Sequence, residues 1–594
     1  MCGIIGYIGY KPAASILLNC LKRLEYRGYD SCGLALLGDA IEVYKAVGRV
    51  ESLERCLPRC PGTIGVGHTR WATHGAVTRV NAHPHLDCNG KIAVVHNGVV
   101  ENFCQLREQL IREGHRFRSE TDTEVLPHLI EKYYQGDIEQ ALSKAIAEVS
   151  GSFALLVLHV NSRQLVAACE GSSLVVGIGH NENFVASDVA ALLGYADRVV
   201  YLEDNDICLL SESSIAITNG GEKVTRQQQK ITWDVEEVQK ARYEHFMLKE
   251  IHEQPKVIES TFADYDSAAE PSVNLGLEKG TGLEDIVLLA CGTSYHAALV
   301  GEYLLGKLCH IPVRVKIASE FNHYEMMLDK SWVIGITQSG ETADTVKALK
   351  KAKGLGCKTL AIVNIPRSTA TRICDQTFYL RAGLETSVAA TKTFMSQLVA
   401  MYLLALSQAT ANSKTRSSLI QELRLLPVKV QWILDDQAQI ARRGIYLAKY
   451  QSIFFVARGI NYPIAMEGAL KLKEIAYIHA EACPAGELKH GPFALLRQET
   501  PVIAIATKDD TYKMMLINMD EIKARGSPLI AIAEEDNRDI ERFADDVIRI
   551  PGVHPLLSPV LNAVVVQLLA YYVARERGCP IDIPTNLAKT VTVP

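Results

Sequence analysis

The chain opens with Met1-Cys2-Gly3-Ile4-Ile5, a cysteine directly behind the initiator methionine and ahead of an apolar run. Removal of Met1 would give Cys2 a free α-amine, whose ordinary pKa lies near ~7.7–8.0. Such an amine can act as the base for the thiol of its own residue, so that one residue supplies both nucleophile and base. A second-position cysteine is by itself usually ordinary, and the rest of the chain has to support this interpretation.

Composition limits the classes of protein to consider. The 594 residues exceed what one hydrophobic core holds, so we expect about three or four domains. A net charge of −6 without a Lys/Arg-rich run argues against a nucleic-acid partner. The 15 scattered cysteines indicate a reducing cytoplasm rather than a disulfide framework. The closest pair, Cys56 and Cys60, lacks the second ligand pair of a zinc site.

No stretch of the chain is typical of a membrane protein. Lys11 and Pro12 interrupt the apolar start before a signal peptide could form. The longest uncharged stretch, residues 555–574, contains prolines and amides, and we interpret it as a buried core helix rather than a membrane span. We therefore expect a cytoplasmic protein without a membrane partner.

Residues 1 to about 235 are rich in short β-branched runs separated by Gly, Asn and Asp. This pattern predicts strands and two helices in an α/β layered sandwich. The predicted strands are 4–8, 92–95, 153–160, 174–178 and 184–186, and the predicted helices are 13–24 and 102–113.

Polar residues concentrate in four clusters of this region, at residues 25–31, 67–75, 96–102 and 119–124. Each has an ordinary explanation when taken alone. Asn97-Gly98 could be a hairpin turn and Thr121-Asp122 a helix N-cap. Together they supply what glutamine hydrolysis needs: donors for an oxyanion, and an Arg with an Asp to hold the α-carboxylate and α-ammonium groups.

These clusters, together with the first residues, resemble the glutaminase domain of class II (N-terminal-nucleophile) glutamine amidotransferases. The resemblance covers residues 2–220 and implies an αββα sandwich of the Ntn-hydrolase type. It implies that Cys2 is the nucleophile, that Asn97 and Gly98 form the oxyanion hole, that Arg70, Thr73, His74 and Asp122 bind glutamine, and that Trp71 gates the passage of ammonia.

Residues 221–262 form the predicted linker, because the composition becomes charged and helical there. We predict a helix over residues 243–255, ending at Gln254-Pro255. This segment resembles the linker of the sugar-phosphate branch of the same amidotransferases.

The rest of the chain contains an internal repeat. Residues 286–298 align with 453–465, and the later strands 333–337 and 359–363 align with 502–506 and 529–533. Buried apolar strands that alternate with helices predict two doubly wound parallel α/β units. They resemble a tandem pair of sugar isomerase (SIS) domains, which we place at residues 263–420 and 440–580.

The first copy has the features of a phosphate site. Thr337, Gln338, Ser339 and Thr342 offer hydroxyl and N–H donors at a helix N-terminus, whereas the second copy has Asp509 and Asp510 there. Alternatively, Ser339 and Thr342 only cap that helix. A second hydroxyl-bearing turn supplies Thr293 and Ser294, and the resemblance adds Val388 and Ala588.

The second copy carries the candidate proton-transfer groups. Glu467, Lys471 and Glu474 are spaced i, i+4, i+7 and share one stripe of a helix, although a surface Glu–Lys pair has the same spacing. The resemblance implies that Glu474 moves a proton between the first two sugar carbons, that Lys471 supports it, and that His490 assists ring opening. Glu467 completes the catalytic set.

The C-terminal segment, residues 581–594, resembles the signature of the glutamine–fructose-6-phosphate aminotransferase family. There the counterpart of Lys589 forms a Schiff base with the ketose, which requires a neutral amine. One residue departs from the pattern: Ala390 stands where the family usually has a serine near the sugar.

These patterns predict a bifunctional enzyme, and the resemblance implies that it moves the amide nitrogen of glutamine onto fructose 6-phosphate. Every step is acyl, imine or proton chemistry, so we expect no metal and no organic cofactor, and the family suggests a homodimer. Two alternatives stay open: a different ketose or amino-sugar phosphate as acceptor, or a sugar-phosphate sensor with a vestigial glutaminase.

Overall fold

The structure is a computed structural model that describes residues 2–58, 60–231, 240, 242–263, 285–323, 328, 330–409 and 413–591. Contacts divide the chain into two compact units. The first is Met1–Gln239 together with Ala588–Pro594, and the second is Lys240–Leu587. Residues 264–284, where the predicted first SIS domain begins, lie outside the described residues.

The first unit contains two antiparallel sheets. Its strands are β1 Gly3–Ile8, β2 Ser31–Leu37, β3 Ile41–Val47, β4 Ile64–Arg70, β5 His85–Leu86, β6 Ile92–Val100, β7 Gly151–His159, β8 Leu165–Glu170, β9 Val175–Ile178, β10 Asn183–Ala186, β11 Arg198–Tyr201, β12 Asp206–Leu210, β13 Ile215–Asn219, β14 Glu222–Val224 and β15 Gln228–Lys230. Among the described residues the strand orders are β15-β11-β9-β10-β1-β4-β2-β3 and β14-β13-β12-β8-β7-β6-β5.

Helices cover the outer faces of both sheets. They are α1 Ala13–Leu24, α2 Val50–Glu54, α3 Phe103–Arg112, α4 Val125–Tyr133 and α5 Ile138–Ile146. Along β1, Ile5 and Tyr7 pack with α1, whereas Ile4 and Ile8 face the core between the sheets. A third core, with α3, α4 and α5, covers the far side of the second sheet. This layering confirms the predicted αββα sandwich.

Most of the predicted elements of this unit are present. The helix Ala13–Leu24 has the predicted bounds, and 102–113 is helical over Phe103–Arg112. The hairpin-turn interpretation of Asn97-Gly98 is wrong, because β6 continues through both residues and Gly98 pairs with Phe153 of β7. Gly98 has a φ of +128°, and an added Cβ would lie 2.0 Å from the Ser152 carbonyl oxygen, so only glycine fits.

The second unit alternates strands and helices: α6 Phe246–His252, α7 Gln254–Ala263, β16 Asp285–Ala290, α8 Gly292–Cys309, β17 Val313–Ile317, α9 Ala318–Phe321, β18 Ser331–Thr337, α10 Ala343–Gly354, β19 Lys358–Val363, α11 Thr369–Ile373, β20 Gln376–Tyr379, α12 Lys392–Gln408, α13 Ser413–Asp435, α14 Gln437–Leu447, β21 Ser452–Ala457, α15 Tyr462–Ala476, β22 His479–Pro484, β23 Val502–Ile505, α16 Tyr512–Lys523, β24 Leu529–Glu534, β25 Asp546–Ile550 and α17 Ser558–Glu576.

Two parallel five-stranded sheets in this unit have the same topology. Their orders are β17-β16-β18-β19-β20 and β22-β21-β23-β24-β25, so the first, third and fourth strands of each copy occupy matching positions. This equivalence confirms the internal repeat and the two doubly wound α/β units.

Two helices of this unit bear on the sequence predictions. The single helix predicted over 243–255 is wrong in detail, because α6 ends at His252 and Gln254-Pro255 begins α7. Proline is tolerated there, since the first turn of a helix has no partner for its N–H.

One helix in the described residues, Pro555–Glu576, is long and apolar enough to cross a membrane, but 94% of its apolar window is buried inside the protein, as predicted for a core helix.

Candidate active sites

The first candidate site surrounds Cys2, which precedes β1 in the middle of the first sheet. Its Sγ lies 3.2 Å from the backbone nitrogen of Trp71, which donates to it. Its carbonyl oxygen accepts hydrogen bonds from Arg27 Nε at 3.2 Å and Asn97 Nδ2 at 2.8 Å. The amide of Asn97 carries a second hydrogen, which can serve a substrate oxygen beside the thiol. Arg27 belongs to the polar cluster 25–31, but the sequence analysis gave it no role.

Opposing effects act on the Cys2 thiol. Burial raises its pKa, while the N–H of Trp71 and the guanidinium groups of Arg70 and Arg27 act to lower it. The thiol is therefore not a ready thiolate by virtue of its surroundings alone. Removal of Met1 would leave an α-amine on the same residue, within reach of the thiol proton.

Arg70 ends β4 and shapes the loop that follows it. Its buried guanidinium donates to three carbonyl oxygens, at 3.2 Å for Gly75 and 3.3 Å for Ala76, with the third on His74. The loop also carries Trp71, half-buried and packed edge-on against Tyr29, and the exposed Thr73. The predicted glutamine-binding residues of 70–74 thus form one loop, which Arg70 holds.

Asp122 lies next to the strand that carries Asn97 and Gly98. It is buried, and its Oδ2 accepts a hydrogen bond from the backbone nitrogen of Val100 at 2.9 Å. Thr121 stands at the N-cap position of the 3-10 turn Asp122–Glu124 but makes no side-chain cap hydrogen bond, so capping does not account for this cluster. Two of the polar clusters, 96–102 and 119–124, are thereby joined.

Four buried histidines near this site received no role from the sequence analysis: His68, His83, His85 and His96. Burial lowers the pKa of each, that of His68 to about 3, so all four are neutral at pH 7. His68 Nε2 lies 3.0 Å from the His96 carbonyl oxygen and 3.2 Å from Asn97 Oδ1. Both partners are acceptors, so Nε2 carries the proton and fixes the amide of Asn97 with its nitrogen toward Cys2.

The second candidate site lies at the carboxyl ends of β16 and β18, where the strand order of the first SIS-like sheet reverses. Ligands of open α/β sheets bind at such a switch point. Thr337 and Thr342 bond each other at 2.9 Å, and Ser339 Oγ accepts from Glu341 N at 3.1 Å. Thr342 precedes α10 without a side-chain cap hydrogen bond, which argues against the capping interpretation.

The matching turn of the second copy is occupied by its own acidic group. Asp509 Oδ1 accepts from the backbone nitrogen of Thr511 at 2.7 Å and from its hydroxyl at 2.6 Å. Asn461 Nδ2 donates to Thr507 Oγ1 at 3.0 Å across the same turn. The two copies share a topology but differ at the position where a phosphate would bind.

The predicted stripe on α15 faces the first turns of α8. Lys471 Nζ lies 3.2 Å from Glu467 Oε1 and 2.5 Å from Glu474 Oε2, which confirms that the three side chains share one face. Glu467 also accepts from Thr293 Oγ1 at 3.1 Å and lies 2.7 Å from His296 Nδ1. Glu467 and Lys471 are fully buried, so a surface pair is excluded. His296 is not among the site residues predicted from the sequence.

The charged groups of this cluster keep one another ionised. Burial alone would raise the pKa of Glu467, but Lys471 and His296 outweigh it and hold that pKa below its usual value. Burial likewise acts to lower the pKa of Lys471, and the two carboxylates raise it instead. Lys471 is therefore a permanent ammonium group beside two carboxylates.

The remaining predicted residues are more scattered. Ser294 Oγ accepts from Gln397 at 2.9 Å, and the backbone nitrogen of Val388 donates to the Asp582 carbonyl oxygen at 2.9 Å. His490 is exposed at the end of the 3-10 turn Ala485–His490. Half-buried positions are Gln338, Ala390, Ala588 and Lys589, and the last two group with the first unit.

This chain matches two domain families along its sequence and known relatives over its full length. A glutamine amidotransferase domain matches residues 68–194, and a SIS domain matches residues 283–407 and 446–577. The chain is 47% identical to a glutamine–fructose-6-phosphate aminotransferase (isomerizing) of Caldanaerobacter subterraneus and 46% identical to one of Methanosarcina acetivorans, over the full length of both chains in each case. It is also similar to the C-terminal domain of glucosamine–fructose-6-phosphate aminotransferase from Francisella tularensis, at 36% identity and a TM-score of 0.56, over 58% of this chain and 100% of that one.

Proposed function

The chain belongs to the family of isomerizing glutamine–fructose-6-phosphate aminotransferases, and on this basis we propose that it converts L-glutamine and D-fructose 6-phosphate into L-glutamate and D-glucosamine 6-phosphate. This is the reaction that commits a hexose phosphate to amino-sugar synthesis. The observation that carries the proposal is the pairing of Cys2 with Asn97 in one unit and of Glu467 with Lys471 in the other.

The glutaminase half of the reaction uses the first unit. With Met1 removed, the amine of Cys2 takes the thiol proton, and Sγ attacks the glutamine amide while the N–H of Trp71 supports the thiolate. The C–N bond of the tetrahedral adduct then breaks, and the leaving nitrogen takes the proton from the amine and departs as ammonia. Water hydrolyses the remaining thioester to glutamate and frees Cys2. Asn97 and Gly98 stabilise the oxyanion, and Arg70, Thr73, His74 and Asp122 hold the amino-acid end. Trp71 lies against the nucleophile through its backbone and is our candidate for the ammonia gate.

The sugar half uses the second unit. The turns after β16 and β18, with Thr293, Ser294 and residues 337–342, bind the phosphate, and Val388 and Ala588 contact the sugar. Glu474 moves the proton between the first two sugar carbons, Lys471 and Glu467 fix its position, and His490 assists ring opening.

Lys589 forms the Schiff base with the ketose. A Schiff base requires a neutral amine, and Lys471 is unsuited because two carboxylates hold it as an ammonium group. Ammonia then displaces Lys589 at the second sugar carbon, and the resulting imine isomerises to the aldose. Each of these steps is proton or imine chemistry on side chains of this chain.

The domain limits follow the same division: glutaminase 2–220, linker 221–262, SIS domains 263–420 and 440–580, and a tail 581–594.

We also propose a homodimer in the cytoplasm, without nucleic acid or membrane as a partner. The 15 cysteines, all of them free thiols, support the cytoplasm, and the net charge of −6 argues against nucleic acid. The homodimer is what the family leads us to expect. Analytical ultracentrifugation measures the oligomeric state, and a monomer at micromolar concentration would contradict the proposal.

The test is a product analysis with matched variants. The purified chain receives glutamine with fructose 6-phosphate, and glutamate and glucosamine 6-phosphate are measured together. Cys2→Ala should abolish both products and leave binding of fructose 6-phosphate unchanged, whereas Cys104→Ala, at an exposed thiol, should behave as the wild type. Glutamate without glucosamine 6-phosphate would indicate another acceptor, and absence of both in the wild type would favour the sensor.

A further inference from the structure

Four potential metal ligands meet on the outer side of the second sheet of the first unit. Cys88 lies in the turn between β5 and β6, and His115 follows the end of α3. His128 and Glu131 are one turn apart on α4. The donor atoms of these four side chains all lie within 4.8 Å of one another. None of the four belongs to the site around Cys2.

Four of the six separations between the donor atoms are close to the edge lengths of one tetrahedron. Cys88 Sγ is 3.7 Å from His115 Nδ1 and 3.6 Å from His128 Nδ1. Glu131 Oε2 is 3.0 Å from His115 Nδ1 and 3.4 Å from His128 Nδ1. Tetrahedral zinc with ordinary bond lengths requires roughly 3.6 Å between sulfur and nitrogen and roughly 3.4 Å between nitrogen and oxygen. Each residue contributes the same atom to both of its distances, so the four donor atoms surround one centre.

We propose that Cys88, His115, His128 and Glu131 bind one Zn²⁺ ion as a closed structural site. The donor set of one thiolate, two imidazoles and one carboxylate suits this borderline-soft ion better than Mg²⁺ or Ca²⁺, which require oxygen ligands. All four tetrahedral positions are filled by protein, which is the property of a structural rather than a catalytic zinc.

The surroundings of the ligands support a metal over a purely hydrogen-bonded cluster. The backbone nitrogen of Arg116 donates to Cys88 Sγ at 3.4 Å. The other ring nitrogen of His128, Nε2, is buried and lies 4.0 Å from Glu124 Oε1, too far for a hydrogen bond. Without a metal, both imidazoles would compete through Nδ1 for the same oxygen of Glu131.

The site would tie three segments together on the outer helical layer. Cys88 holds the turn before β6, which carries Asn97, and α4 directly follows Asp122 and Glu124. The ion therefore fixes the outer helices at the back of the strands that form the glutamine site. The predicted reaction consists of acyl, imine and proton steps and needs no metal. No short zinc motif indicates this site either, because Cys88 lies 27 and 40 residues before the two histidines.

The test uses the full-length chain purified from zinc-supplemented medium. Elemental analysis should find about one zinc per chain in the wild type and in Cys104→Ser, and at least about tenfold less in Cys88→Ser. Cys104 is an exposed cysteine on α3 and serves as the matched control. Equal zinc contents in Cys88→Ser and the wild type would overturn the proposal.

A second measurement does not depend on the variant folding. Wild-type protein stripped by a chelator is titrated with Co²⁺, which should give the absorption of a tetrahedral ion with a thiolate ligand, and Zn²⁺ should displace it. The chelator should also lower the melting temperature of the wild type, and added Zn²⁺ should restore it. A stripped protein that shows no thiolate–Co²⁺ band and melts at the same temperature with and without Zn²⁺ would refute the site.

Discussion

Replacing Lys471 by methionine tests whether the cluster on α15 is a coupled set of buried charges. The substitution keeps most of the side-chain volume and removes the cation between Glu467 and Glu474. Two carboxylates then face each other without their shared partner, and Glu467 is fully buried. Removing one partner of a buried ion pair costs about 3–5 kcal/mol, because the other charge stays desolvated.

The structure places the expected cost at the lower end of that range. Glu467 keeps His296 Nδ1 at 2.7 Å and Thr293 Oγ1 at 3.1 Å, and Glu474 is partly exposed. We therefore expect Lys471→Met to destabilise the second unit by about 3 kcal/mol. The matched control is Lys473→Met, on the same helix but exposed, with an expected effect within about 0.5 kcal/mol.

The pH dependence of the stability loss distinguishes an uncompensated buried charge from a packing defect. In the wild type the pKa of Glu467 is lowered, so its contribution to stability is present above the ordinary carboxyl pKa of about 4.3 and disappears as the pH falls through the folded value. The pKa of Lys471 is raised, so its contribution is present below about 10.4 and disappears as the pH rises through the folded value. Without Lys471, protonation relieves the buried carboxylate, and the deficit of the variant should shrink toward acidic pH.

Differential scanning calorimetry of the full chain measures this prediction. The chain has two units, so the comparison uses the midpoint of the second unit's transition in each variant rather than one global free energy. If Lys471→Met melted no lower than Lys473→Met, the ion pair would contribute nothing. A deficit that stayed constant across the pH range would assign the loss to packing.

Three further outcomes are expected. Gly98→Ala should destabilise the first unit by about 2–5 kcal/mol in chemical denaturation, because its Cβ would meet a carbonyl oxygen at 2.0 Å. The control Gly90→Ala, with open space around it, should cost about 1 kcal/mol. Equal costs would contradict the geometry. Lys589→Ala should lose the borohydride-trapped fructose 6-phosphate adduct in mass spectrometry and Lys473→Ala should keep it, and persistent trapping would locate the Schiff base elsewhere. The melting midpoint of the first unit should fall as the pH drops below about 6.5. The reason is that His68, with a pKa of about 3, is neutral in the folded chain and gains a proton on unfolding. A midpoint that did not move would count against a neutral buried histidine.

Local patterns made much of the fold predictable. The helix Ala13–Leu24 shows its limits in the sequence, because its apolar positions recur at helical spacing and Pro12 precedes it. The two SIS-like sheets were predictable because uninterrupted apolar runs such as 286–290 and 453–457 indicate strands buried on both faces. The dipeptide Asn97-Gly98 is frequent in hairpin turns, but its pairing with β7 keeps it in a strand.

Contacts between distant segments were not predictable in this way. His68 meets Asn97 across 29 residues, and His296 meets Glu467 across 171. Such pairs depend on strand register and helix packing, which no spacing in one sequence records. The polar cluster that contains His68 did indicate a site, but which of its residues would touch the nucleophile and which would support Asn97 depended on the fold.

The position of Glu467 and Lys471 bears on why the two SIS-like copies have diverged. A buried ion pair is weak evidence for stability, since well-packed apolar residues would often serve as well or better. This pair lies where α15 of the second copy meets α8 of the first, and Thr293 and His296 of the first copy complete its hydrogen bonds. The first copy thus supplies an open turn after β18 and the second supplies the charged helix, whereas Asp509 fills the equivalent turn of the second copy. The single reaction centre that we propose, shared by both copies, would account for this asymmetry, whereas a requirement for stability alone would not.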